Sequence, residues 1–142
     1  MKLTMMVCDM AQVADGKLYI LGGGWHVTTA PTGPCAVALL VDVEWEDANK
    51  KHEFVIELVD ADGQPISMPG PTGEFAPLRI GGAFETGRPP GARPGSVTSV
   101  PLAVNFGPLP LEADRLFQWR ATIDADLALT ATWPFATRNG SG

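Results

Sequence analysis

His26 and His52 are the only side chains in this 142-residue chain whose ordinary pKa lies near neutrality, so a proton shuttle or an imidazole ligand has to be one of them. His26 stands directly after Gly22-Gly23-Gly24-Trp25, and a proton transfer beside that glycine loop would be the chemistry of a small hydrolase acting on a polar metabolite. The surrounding motifs do not extend that chemistry. No Gly-x-Ser-x-Gly elbow, His-Glu-x-x-His helix or paired-carboxylate signature is present. The glycine triplet lacks the Gly-Lys-Ser/Thr that completes a phosphate loop, and no helical pattern follows it as a dinucleotide fingerprint requires. It reads instead as a bulge, bend or tight crossing beneath Trp25. Cys8, Cys35 and His26 lack the close paired spacing of a zinc site, and Gln64-Pro65-Ile66 interrupts any calcium loop begun by Asp60 and Asp62. Neither a metal nor a cofactor is expected, and the two thiols read as buried and free. The remaining candidates are charges for a partner: Asp42, Glu44, Glu53 and Glu57 as an acidic surface, Arg88 and Arg93 as a basic pair in a loop.

The elements that must carry these residues alternate with a period of two. From Cys35 to Trp45 the odd positions are Cys, Val, Leu, Val, Val and Trp, and the even positions end in Asp42 and Glu44. From His52 to Val59 the side chains of Phe54, Ile56 and Leu58 share one face and Glu53 and Glu57 the other. The intervening Glu46 to Lys51 is polar and too short for a crossover helix, which predicts that the two strands pair antiparallel. Their opposite faces, Ala36, Ala38 and Leu40 with Val55 and Val59, would then form one apolar patch bordered by the four acids, covered either by a second copy or by the loop from Gly81 to Gly95.

Further strands are expected at Leu3 to Val7, after the Asp15-Gly16 turn at Lys17 to Leu21, around Trp25 to Thr29, weakly at Glu74 to Ile80, and at Val100 to Phe106, Phe117 to Ile123 and Leu127 to Phe135. Pro77 marks an edge. Gly87 to Gly95 holds three Gly and three Pro and reads as a mobile surface loop. About eight short strands with turn-rich connections predict an all-β, single-domain antiparallel β-sandwich, immunoglobulin-like or of a related Greek-key topology. The domain spans 1–137 and a flexible tail spans 138–142. Trp45, Phe54, Ile56, Phe106, Trp119 and Ile123 are assigned to its core.

Ten basic against 16 acidic residues leave a net charge of −6, which repels a phosphate backbone and argues against nucleic acid as a partner. No apolar run reaches the ~18 residues that a membrane span requires, and Met1 to Asp9 does not resemble a secretion signal. A cytoplasmic protein without a membrane or nucleic-acid partner is expected. It would act as a noncatalytic binding or assembly module, self-associating as a homo-oligomer, a dimer first of all, or binding another protein. A small sandwich must protect its edge strands, and Pro77 protects only one.

Four pieces, Ala11 to Trp25, Phe54 to Gly63, Pro101 to Phe106 and Phe117 to Asp124, together resemble a family of small bacterial proteins of uncharacterised function. Many relatives carry a Gly in the hairpin where this chain has Asp124-Ala125-Asp126. The resemblance implies an immunoglobulin-like or similar sandwich and transfers no catalytic or ligand residue.

Overall fold

A computed structural model describes residues 1–140. The chain is all-β and forms one domain. Its strands are β1 (Lys2–Ala14), β2 (Lys17–Gly23), β3 (Val27–Ala30), β4 (Cys35–Val43), β5 (His52–Asp60), β6 (Ser67–Pro69), β7 (Phe75–Pro77), β8 (Arg79–Phe84), β9 (Thr98–Phe106), β10 (Leu116–Ile123) and β11 (Thr130–Asn139). They assemble into a four-stranded sheet in the order β2-β1-β4-β9, a five-stranded sheet in the order β3-β11-β10-β5-β8, and a small β6-β7 ribbon. Between the two large sheets lies the main core. Met5, Val7, Val37 and Leu39 from the first sheet meet Ile56, Leu58, Phe117, Trp119 and Phe135 from the second. Phe106 stacks on Trp119 with ring centroids 4.9 Å apart. Alternation places these residues together, because every second side chain of each strand reaches the same apolar layer.

The expected pairing of β4 with β5 does not occur. β4 pairs with β1 and β9, whereas β5 pairs with β10 and β8 in the opposite sheet. The connection between them contains a 3-10 turn, Trp45–Asp47, and Asn49 at φ 61°, and it carries the chain from one sheet to the other. Period-two patterning identifies the buried face of a strand and not its neighbour, so both arrangements fit the same residues. The acidic set is divided accordingly: Asp42 and Glu44 go with the first sheet, Glu53 and Glu57 with the second. The anticipated apolar patch is likewise absent, since Ala36, Ala38 and Val59 are almost wholly buried within the chain.

What covers Ala36 and Ala38 is the chain's own β1-β2 hairpin. The first half of β1 pairs with β4 as far as Cys8–Ala36, and from Cys8 onward the strand pairs with β2. There the sheet curls into a half-barrel, enclosing a second small core of Cys8, Ala11, Ala36 and Ala38 against Leu18, Ile20 and Ala103. The alanines let the hairpin approach the outer face of β4 and β9 closely. The bend sits at Gly22, which has φ 60° and where a β-carbon would collide with the Asp9 carboxylate. The glycine triplet is therefore a bend, with Gly24 N–H donating to Val7 O. Val7 turns its carbonyl toward β2, yet Ala11, of the same parity, turns its backbone amide and carbonyl away from β2 to the side chain of Asn105 on β9. The alternation has slipped by one residue between them, which is why Cys8 and Ala11 point into the same cluster.

Other departures are local. β3 joins the second sheet parallel to β11, so the fold is not wholly antiparallel. Gly81 and Gly82, expected to open a long loop, belong to edge strand β8, and the ring of Phe54 lies over Gly82, where a β-carbon would approach it to 2.8 Å. Ile56, Trp119 and Ile123 are fully buried, whereas Trp45, Phe54 and Phe106 are half-buried. Arg138 and Asn139, expected in the tail, are the last residues of β11, opposite Thr29 and Ala30 of β3. Ser141 and Gly142 of that tail lie outside the described residues.

Candidate interaction surface

The two histidines do different structural work. His52 is buried at the start of β5, with Nδ1 2.7 Å from Asp124 Oδ2 and Nε2 2.8 Å from the carbonyl of Asp47. Both ring nitrogens face acceptors, which favours the doubly protonated imidazolium. Burial opposes that charge, but the Asp47 carbonyl and the Asp124 carboxylate outweigh it and hold the pKa above the ordinary histidine value. Asp124 is shifted the opposite way. Its partial burial is overcome by the Glu53 N–H and by His52, and its carboxyl is held below the usual value. The pair thus clamps the 3-10 turn and β5 to the β10–β11 turn. His26 is exposed and stacks on Trp133, with centroids 4.4 Å apart and planes 6° from parallel, while its Nδ1 lies 2.6 Å from Pro134 O and carries the proton. Beside it, Trp25 donates its indole N–H to Asp9 and packs edge-on against Phe135. The His26 imidazole is thus an aromatic packing element held to a backbone carbonyl.

The charged candidates scatter. Asp42 accepts from Ser99 across β4 and β9, and Glu57 Oε1 takes both Nε and Nη2 of Arg120, at 2.9 and 2.7 Å. Glu53 and Glu44 are exposed. Arg88 donates twice to the carbonyl of Trp45 and lies 4.1 Å above its ring, so it pins the 85–97 loop to the 3-10 turn. Arg93 is exposed and its carbonyl closes a turn with Ser96. Arg88 is thus engaged within the chain, whereas the Arg93 side chain is open to solvent. Both cysteines are buried and free, and burial pushes each thiol up. Among the described residues, no group of three or more His, Cys, Asp or Glu side chains is arranged to hold a metal ion, and no helix is long and apolar enough to cross a membrane. An open cavity of about 320 Å³ lies between the β6-β7 ribbon and the segment before β10, walled by Met68, Phe75, Leu111 and Phe117, with Arg115 and Glu112 paired at 2.8 Å on its side.

The surface that motif reading missed is the outward face of the β1-β2 hairpin. Its Asp15-Gly16 turn has both residues at positive φ, 53° and 69°, which sets Ala14 opposite Lys17 and then Gln12 opposite Tyr19 and Met10 opposite Leu21. Leu18 and Ile20 face the small core, so their neighbours face solvent: Leu21 is 64% exposed, Tyr19 51% and Met10 47%. The signal was available in the sequence, since the two-residue turn fixes those pairs by counting. β2 is also an open edge. Asn105 satisfies Ala11 from the β1 side of the hairpin, so Leu18 and Ile20 direct their N–H and C=O groups to the far side of β2, which among the described residues has no strand beside it.

No curated protein and no solved structure matches the chain significantly. The model of the Family of unknown function (DUF6941) matches residues 3–135, nearly the whole length, and the protein belongs to that family.

Proposed function

We propose that this protein is a noncatalytic binding or assembly module that engages protein through the outer face and free edge of its β1-β2 hairpin. The observation that carries the reading is the contrast among the four edges of the two large sheets. β9 contains Pro101, β3 is four residues long and followed by Pro31, and β8 has Gly81 and Gly82 beneath Phe54 and is preceded by Pro77. β2 has no proline and no inward charge, and it carries Tyr19 and Leu21 outward. An unprotected strand with an apolar outer face is the surface that other edges are built to avoid, and a contact is what makes it tolerable in solution. The free, buried thiols fit a reducing compartment and support a cytoplasmic setting.

Photo-crosslinking in cells tests this without assuming the partner. Benzoylphenylalanine placed at Tyr19 is expected to form a covalent protein adduct, and the same probe at Thr132, exposed on β11, is not. Adducts at Thr132 with none at Tyr19 would refute the assignment of the surface.

A further inference from the structure

We infer that the connection between β4 and β5 is a proton-operated latch: doubly protonated His52 holds the 3-10 turn, and through the turn the 85–97 loop, and loss of one ring proton frees both. The geometry sets which bond fails. His52 Nδ1 faces Asp124 Oδ2 at 2.7 Å and Nε2 faces the Asp47 carbonyl at 2.8 Å, so the ring donates on both sides only while it is charged. A neutral ring keeps its one proton on Nδ1, because a lone pair set against the Asp124 carboxylate costs more than one set against a neutral carbonyl. Nε2 and the Asp47 oxygen are then two acceptors face to face at a buried position, and they must part or admit water. The turn has little of its own to resist this. One hydrogen bond, Asp47 N–H to Glu44 O, closes it, and the Glu44 side chain does not cap it. The loop depends on the turn. Among the described residues, the hydrogen bonds that tie 85–97 to other parts of the chain all end on this connection: Asn49 N–H donates to Thr86 O, and Arg88 donates twice to Trp45 O with its guanidinium over the Trp45 ring. The groups around His52 agree with the direction. Asp47 and Asp124 face it from the two turns, β8 sets the Phe84 ring beside it, and its neighbours Lys51 and Glu53 are exposed. The Asp47 carboxylate is itself 3.9 Å from the Met1 amino group, which also lies 3.8 Å from Glu44. Burial works against the charge on His52, yet the Asp47 carbonyl and Asp124 raise its pKa, so the latch is closed at mildly acidic pH and opens as pH rises through the folded value.

The test uses the isotope-labelled full chain. NMR of the imidazole follows the His52 ring, and amide exchange, expressed as protection over the intrinsic rate, follows the latch. As the ring loses its proton, the one that remains should be found on Nδ1, and protection at Asp47 and Asn49 should fall at least about tenfold with the midpoint of the ring. Gly63 N–H, bonded to Asp60 O in the turn after β5, is the control and should keep its protection. Linkage supplies a second reading: if the charged ring favours the pinned loop, then detaching the loop must weaken the ring's hold on its proton. Arg88→Ala should therefore move the His52 midpoint to lower pH, whereas removing a cation would by charge alone move it up. Acetylating the amino terminus removes the neighbouring group that also titrates near neutrality, and the loss of protection should persist. Protection that is unchanged across the ring's titration overturns the latch. So does a neutral ring with its proton on Nε2, because the bond to Asp47 would then survive. A loss of protection that vanishes on acetylation belongs to the amino terminus and overturns it as well, and an Arg88→Ala midpoint that stays or rises overturns the link from turn to loop.

Discussion

Replacing Asp124 with Asn removes the charge facing His52 while leaving an oxygen able to accept from the Glu53 N–H, which Asp124 Oδ1 now takes at 2.9 Å. The turn should survive, because Asn tolerates the left-handed conformation that Asp124 adopts at φ 52°. A charge-assisted hydrogen bond is worth about 1.5–3 kcal/mol when well shielded. The His52 side chain is 7% exposed but that of Asp124 is 37%, so solvent screening brings the expected loss to about 1–2 kcal/mol. The loss must depend on pH in a set direction. His52 has its pKa raised on folding, so its contribution is complete below the unfolded value near 6.5 and fades as pH rises through the folded one. Asp124 has its pKa lowered, so its contribution is complete above the unfolded value near 3.8 and fades as pH falls. The pair stabilises most between those two unfolded values, and the cost of Asp124→Asn should be greater at pH 5.5 than at pH 8.5. Urea unfolding of both proteins at the two pH values measures this. A difference independent of pH, or a His52 titration observed by NMR below 6.5 in the wild type, would refute the reasoning.

Ala125 sits at φ 52° in the same turn, so Ala125→Gly should relieve left-handed strain and stabilise the fold by about 0.5–1 kcal/mol in the same unfolding assay. Asn105→Leu should cost about 1–3 kcal/mol, because it leaves the N–H and C=O of Ala11 without their partner, and hydrogen exchange at Ala11 should accelerate. Gly82→Ala should cost about 1–2 kcal/mol by displacing the Phe54 ring, measured as a lower denaturation midpoint with an unchanged slope.

Much of the fold was legible where local chemistry decides it. Asp15-Gly16 supplied the positive φ of a two-residue hairpin, and the alternation Phe117, Trp119, Ala121, Ile123 marks the buried face of β10 residue for residue. Sheet membership was not legible in the same way. β4 and β5 alternate whether they pair with each other or face each other across the core, and a polar connection permits either. The burial of Ala36 and Ala38 depends on a hairpin that returns over them after the alternation slips near Gly22, and no period-two pattern records a slip. Chemical type points elsewhere than the candidate surface: His26, Arg88 and Glu57 stand out as functional groups and are engaged in packing or pairing, whereas Met10, Tyr19 and Leu21 read as ordinary strand residues. Their exposure follows only once Leu18 and Ile20 are known to face inward.

At Ala11 the curled sheet is completed by the amide of Asn105, a side chain standing where a neighbouring strand would. A strand ladder ties two segments together at every second residue, whereas this amide ties them at one point. Beyond that tether the hairpin tip is a cantilever: lengthening both arms equally at Asp15-Gly16 would carry the edge farther into solvent without changing any pair between β1 and β4 or between β4 and β9. The length and lettering of the hairpin are thereby uncoupled from the packing of the two sheets, so its tip can change while the core stays the same.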